Sequence, residues 1–274
     1  MNELKTIFLS TFCIVGAAYI AFHVILQLIY PALTYVPPNA PYQTSKIISK
    51  IGPNNEIAIA SYFSPGAKKT ILFSHGNAAN LATIAFFLEF LAEHGFNVIS
   101  YDYPGYGLSS GKPNAQATNK AIMQVYDHIT TELAISPDDL IIWGRSLGGG
   151  PSIYLLSQKP AAGAIIESTF STLHQVMTHW KLTPFDPYPN DALIKKIKVP
   201  ILLIHGMQDT LIGPHHAKTL ARNCQNCTLW LSQSSGHNDI LLVEKADYMK
   251  KILGFIDSIY ANKDTKGPDH KLSD

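Results

Sequence analysis

Charge and cysteine are both scarce in this chain. Asp, Glu, Lys and Arg make up 15% of its 274 residues, and 21 basic against 20 acidic side chains leave a formal net charge of +1. So weak a field excludes the basic footprint of a nucleic-acid-binding protein, and equally a body held to anionic lipid by charge. Three cysteines are too few for the dense disulfide framework of a small secreted domain, so stability must come from packing. Cys224 and Cys227 form a Cys-x-x-Cys with no second pair, which argues against zinc and leaves two ordinary thiols or a local disulfide. His215-His216 reads as a solvated helix start without carboxylates nearby, so neither a metal nor an organic cofactor is expected. There is no internal repeat.

The longest stretch without charge lies near the beginning. From Ile7 to Tyr30 there is no Asp, Glu, Lys or Arg, and only His23 and Gln27 are strongly polar. That exceeds the roughly 20 apolar residues a bilayer-crossing helix needs. Pro31 and then Pro37-Pro38 are expected to end the helix by removing donors and crowding the preceding turn. The same run also satisfies a cleaved signal peptide, with Lys5 before the apolar stretch and Gly16-Ala17-Ala18 as the small residues ahead of a cut. A buried helix of the globular body is a third reading. Of these, a single-pass anchor uses the whole run. Lys5 and the amino terminus are the nearer flanking positive charges, which favours placing the rest of the chain on the non-cytoplasmic side.

Beyond the run, short β-branched stretches alternate with helical patterns, the mark of βα units and a mostly parallel sheet with helices on both faces. Strands are expected at 57–62, 70–74, 97–101, 140–143, 163–167, 200–205 and 228–232. Helices are expected at 79–93, 116–131, 146–158, 215–223 and 243–260. The organisation that follows is an anchor at 1–31, a linker at 32–46, one α/β domain at 47–260 with a short lid insertion at about 170–199, and a disordered polar tail at 261–274.

Catalytic groups in such sheets belong at the carboxyl ends of strands. There, Ile141 to Trp143 runs into Gly144-Arg145-Ser146-Leu147-Gly148, a Gly-x-Ser-x-Gly elbow opening a helix. The turn is strained, so glycines flank it and Ser146 is pushed out as a nucleophile. The bland alternative is a glycine-rich turn with Ser146 as an N-cap. A serine needs a base, and the base an orienting acid. Asp209 follows the next-to-last strand and His237 the last, in the order the elbow requires. Asp239 competes with Asp209 but is better suited to shaping the His237 loop. Two N–H donors must hold the oxyanion. Leu147 supplies one, and the loop after Phe73-Ser74-His75-Gly76 supplies the other from Asn77, with Ala78 as the fallback. His75 is expected to pack beneath that loop.

Several of these segments carry a family resemblance: Ser74 to Asn80, Tyr101 to Gly111, the Gly144 elbow, Glu167-Ser168-Thr169-Phe170 and Gly236-His237-Asn238-Asp239. Over roughly 57–260 the chain resembles the α/β-hydrolase domain-containing proteins of the Bem46 group, among them the membrane-anchored domain-13 and the depalmitoylating domain-17 members. The resemblance implies the α/β-hydrolase fold, a Ser-Asp-His triad and a membrane anchor. The cysteine-rich lipidated N-terminus of the depalmitoylating members has no counterpart here, so protein depalmitoylation is not the expected activity.

The expected activity is that of a serine hydrolase on a carboxylic ester or thioester, with a small-molecule or lipid acyl substrate and no nucleic-acid partner. Trp180, Phe170 and Phe185, with Tyr188 among the prolines of the lid, are expected to line or cover the acyl pocket. A peptidase or amidase on the same fold, and an idle membrane-tethered binding module, are the alternatives.

Overall fold

The structure is a computed structural model that describes residues 2–38, 48–178 and 185–264. Its centre is an eight-stranded sheet of β1 (Ile48–Ile51), β2 (Ile57–Tyr62), β3 (Thr70–Ser74), β4 (Asn97–Tyr101), β5 (Leu140–Arg145), β6 (Gly163–Glu167), β7 (Ile201–Gly206) and β8 (Cys227–Ser232). The spatial order is β1-β2-β4-β3-β5-β6-β7-β8. The pairs β1/β2 and β2/β4 are antiparallel and every other pair is parallel. This is the α/β-hydrolase fold.

The strands read as continuous apolar runs because helices cover both faces. Successive side chains point to opposite faces, and the core divides accordingly. Ile57, Leu72, Ile142, Ile166 and Leu203 pack on one face against Ile122, Val125 and Ile153. Ala58, Phe73, Trp143, Ile165 and Ile204 pack on the other against Leu88, Leu91, Ile252 and Ile256.

The helices are α1 (Asn2–Thr34), α2 (Ala85–Glu93), α3 (Ala115–Thr131), α4 (Gly149–Leu156), α5 (Leu173–Thr178), α6 (Asn190–Leu193), α7 (His215–Asn223), α8 (Ile240–Glu244) and α9 (Ala246–Asp264). Several depart from expectation. The segment before α2 is a turn pinned by reciprocal Asn80–Thr83 hydrogen bonds rather than helix. The expected final helix is two, broken at Lys245 with φ +48°. The last of them continues to Asp264, into the segment expected to be tail. His216 is buried rather than solvated, its Nδ1 2.8 Å from the Ser171 hydroxyl. Cys224 and Cys227 are joined in a disulfide.

Helix α1 does not stop at Pro31. It continues to Thr34, and Tyr35 N donates to Pro31 O at 2.9 Å. A proline is tolerable there because contacts to the body hold the last turn in place of its missing N–H. Leu26, Tyr30 and Thr34, spaced i, i+4, i+8 on one face, are buried against the α/β body, as is Tyr35. Tyr30 Oη accepts from Ala115 N at the start of α3 (3.1 Å), Gln27 Nε2 donates to Phe185 O (2.9 Å), and the Tyr35 and Tyr188 hydroxyls are 2.8 Å apart. The rest of α1 exposes its apolar side chains, Phe8, Ile14 and Leu28 among them. The 31-residue span Leu4–Thr34 is about 46 Å long at ~1.5 Å per residue, against a hydrocarbon core of about 30 Å, and so is long and apolar enough to cross a membrane.

Candidate active site

The elbow after β5 is strained as its sequence requires. Ser146 has φ +53°, a conformation that costs a non-glycine residue free energy and persists only where the surroundings impose it. They do so through glycines. A Cβ on Gly144 would lie 2.6 Å from Gly148 O, and one on Gly148 would lie 2.1 Å from Ser74 O. From across the turn, Thr169 Oγ1 donates to Ser146 O at 2.7 Å. Ser146 therefore stands at the floor of a hollow while the chain turns into α4.

Its hydroxyl is 2.9 Å from His237 Nε2, and His237 Nδ1 is 2.7 Å from Asp209 Oδ2. An ionised carboxylate only accepts hydrogen bonds. Asp209 thus fixes the proton on Nδ1 and leaves Nε2 to accept from the serine. Burial alone would raise the Asp209 carboxyl, but hydrogen bonds from His205, His237 and the Ile212 amide outweigh it and hold the group well below the usual carboxylate range. His205 is the partner that sequence reasoning missed. Its Nε2 sits 3.3 Å from Asp209 Oδ2 and 2.6 Å from Ile212 O. The signal was present as a histidine four residues before the acid, in His205-Gly-Met-Gln-Asp209, but it read only as a strand ending. Asp239 takes the loop-shaping place, accepting from Gly236 N at 2.7 Å. Arg145 reinforces that loop by donating to Asn238 O at 3.0 Å, with Glu167 3.5 Å away.

The loop after β3 lies against the serine: a Cβ on Gly76 would meet Ser146 Cβ at 3.5 Å. Asn77, Ser146 and Leu147 line one hollow together. The Asn77 side chain is used at both ends. Its Oδ1 accepts from Val36 N, Ala78 N and the Tyr106 hydroxyl, and its Nδ2 donates to Thr34 O. Beneath it His75 is fully buried, its ring tilted 30° against that of Tyr103 at 4.1 Å between centroids, and burial pushes its imidazole down to about 4. Asp102 ties this loop to the one after β4, accepting from Leu81 N of the first and Leu108 N of the second.

Two hollows open from Ser146. One, of about 380 Å3, runs past Ile84, Phe87 and His237. The other, of about 180 Å3, is an apolar slot lined by Leu147, Phe170, Leu173, Val176 and Met177, and by Leu33 and Thr34 of α1. Phe170 stands in the expected place. Phe185 does not: it is exposed, is absent from the slot lining, and packs on His23 of α1, 5.1 Å between ring centroids. Tyr188 is buried beside Phe170 with its hydroxyl on Tyr35. Trp180 lies outside the described residues. Among the described residues no group of three or more His, Cys, Asp or Glu is placed to hold a metal ion.

Comparison with known proteins agrees with this architecture. Residues 65–185 match the family model described as serine aminopeptidase, S33, and residues 144–238 match that of serine hydrolase (FSH1). The chain is 35% identical over 204 residues to human α/β-hydrolase domain-containing protein 17B, covering 73% of this chain and 70% of that one. The Xenopus tropicalis 17B protein is 36% identical over 198 residues, covering 70% and 68%. An esterase of Pyrococcus furiosus shares the fold with a TM-score of 0.67 at 18% identity, over 82% of this chain and 99% of that one. An Exiguobacterium antarcticum esterase does so at 0.57 and 19%, over 73% and 95%.

Proposed function

The chain belongs to the α/β-hydrolase domain-containing protein 17 family of serine hydrolases, and from that premise we propose that it cleaves the carboxylic ester or thioester of a lipid-like acyl group through Ser146, His237 and Asp209. The observation that carries the reading is the hydrogen-bonded line from Asp209 through His237 to Ser146, ending where an apolar slot begins.

In this mechanism His237 Nε2 takes the Ser146 proton as Oγ attacks the acyl carbonyl. The Leu147 and Asn77 amides hold the oxyanion, and Asp209 stabilises the imidazolium. Collapse expels the alcohol or thiol, which leaves with the proton from His237. Water, deprotonated by the same nitrogen, then releases the acid and restores Ser146. Phe170, Leu173 and Val176 supply the apolar wall for the acyl chain. No step calls for a metal or an organic cofactor.

We further place α1 in a bilayer as a single-pass anchor, with the catalytic body on the non-cytoplasmic side. The Cys224–Cys227 disulfide supports that side, because cytosolic thiols are kept reduced. A cut after Ala18 would still leave Ile20, Val24, Ile25 and Leu28 apolar and exposed, which favours membrane contact of the remaining helix.

Steady-state profiling of the purified full-length chain on p-nitrophenyl esters, acyl thioesters and p-nitroanilides tests the reaction class. Esters and thioesters are expected to exceed anilides in kcat/KM by at least about a hundredfold, with all turnover lost in Ser146→Ala. The same atoms can attack an amide, and one matching family model describes an aminopeptidase. Anilide turnover above ester turnover would therefore move the assignment to an amidase.

A further inference from the structure

The end of α1 does more than tether. Its last turn lies inside the site: Leu33 and Thr34 line the slot that reaches Ser146, and Thr34 Oγ1 contacts Met177 Sδ at 3.9 Å on the opposing helix α5. The next residues clasp the oxyanion loop, with Thr34 O and Val36 N bonded to the two ends of the Asn77 side chain. Leu33 is 59% exposed, and Ile29 and Ile25, four and eight residues before it on the same helix face, are apolar and exposed as well. Apolar side chains of a membrane-length helix thus lead to Leu33, which lines the slot that also holds Ser146.

We infer that the last turn of α1 is a wall of the acyl site, and that the substrate is an ester of a bilayer lipid whose acyl chain passes along Leu33 and Met177 to reach Ser146. The inference rests on the serine-hydrolase reading of that site. Its physical basis is the cost of exposing an acyl chain to water, about 0.8 kcal/mol per methylene. A chain that stays against α1 from the bilayer to Ser146 avoids that exposure, whereas a site opening only to solvent would meet it in full. The two amide contacts to Asn77 make the wall and the oxyanion loop one unit, so a chain that seats against Leu33 seats beside the donors.

The test uses the full-length protein in lipid nanodiscs and reads the ratio of kcat/KM on p-nitrophenyl palmitate to that on p-nitrophenyl acetate. Leu33→Trp and Met177→Trp narrow the slot; Leu28→Trp, on the exposed face away from it, is the control. Because Leu33 is more than half exposed, a larger side chain there leaves the core untouched, and fluorophosphonate labelling of Ser146 reports an intact site in each variant. The ratio is expected to fall at least tenfold in both slot variants and to stay within twofold of wild type in the control. A ratio within twofold of wild type in labelled slot variants overturns the wall, and so does an equal fall in the control. Wild type that takes up no fluorophosphonate and hydrolyses neither ester overturns the underlying hydrolase reading, and the wall with it.

Discussion

Ser146, Asp209 and His237 leave the ends of β5, β7 and β8, whereas Leu33, Thr34 and Met177 come from two helices that no strand holds. The two sides of the cleft are built by different means. On the sheet side, glycines with no room for a Cβ and short polar bonds fix each group to one position. On the helix side, a buried stripe of Leu26, Tyr30 and Thr34 and a few side-chain-to-backbone bonds hold α1 to the body. The difference separates two tasks. Chemistry needs groups held to within a few tenths of an ångström, while selection among acyl chains needs only an apolar surface of the right width.

The largest effect that would sharpen this contrast is on the sheet side. Asp209→Asn keeps the shape but lets His237 settle with its proton on the wrong nitrogen, and kcat should fall about ten-thousandfold. The long-to-short chain ratio should stay where it is in wild type, measured on the same ester series. A variant that changed the ratio as strongly as the rate would erase the division between the two sides.

Gly148→Ala comes next. With a Cβ 2.1 Å from Ser74 O, the elbow and the oxyanion loop must separate, and chemical denaturation should show a loss of about 3 kcal/mol or more, at the upper end of overpacking costs. An unchanged midpoint would mean that the two loops are not locked together.

The third prediction concerns pH. The folded chain keeps His75 neutral down to about pH 4 because burial disfavours its charged form, and Asp102, 4.0 Å away, is engaged by Leu81 and Leu108. The unfolded chain takes up that proton near its ordinary value of about 6.5. Between those values the unfolded state binds more protons, so stability rises with pH and is lost as pH falls from about 6.5 to about 4, by on the order of 3 kcal/mol for this group. Denaturation midpoints across that window should show the slope, and His75→Asn should flatten it.

The smallest expected effect tests the helix side. Tyr30→Phe removes the acceptor of Ala115 N, at a cost of about 1–3 kcal/mol if that amide stays buried and unpaired. Thermal unfolding should shift modestly, and palmitate turnover should fall more than acetate turnover. Equal losses would indicate that α1 supports the whole body rather than one wall of the cleft.

The same division explains what was legible in the sequence. Parallel strands buried on both faces announce themselves as apolar runs, and once they are placed Ser146, Asp209 and His237 are found one, three and five residues beyond the ends of β5, β7 and β8. The Gly-x-Ser-x-Gly turn is local strain, and local strain is written in adjacent residues. Tyr30 docking on Ala115, Tyr35 on Tyr188 and Thr34 on Asn77 join positions more than 40 residues apart, and no local pattern encodes such contacts. Pro31 was misleading for that reason, since tertiary contacts hold the turn that its own backbone cannot. His216 looked solvated because the hydroxyl it meets, Ser171, arrives from another element. Phe185 was expected at the slot from its place in the lid insertion, and its ring packs instead on His23 of α1, a contact 162 residues away in sequence.

The most direct test of the central claim is fluorophosphonate labelling of wild type and Ser146→Ala side by side, with the adduct located by peptide mass spectrometry. The account predicts one adduct on Ser146 in wild type and none in the variant. An adduct on another residue, or equal labelling of both proteins, would contradict it.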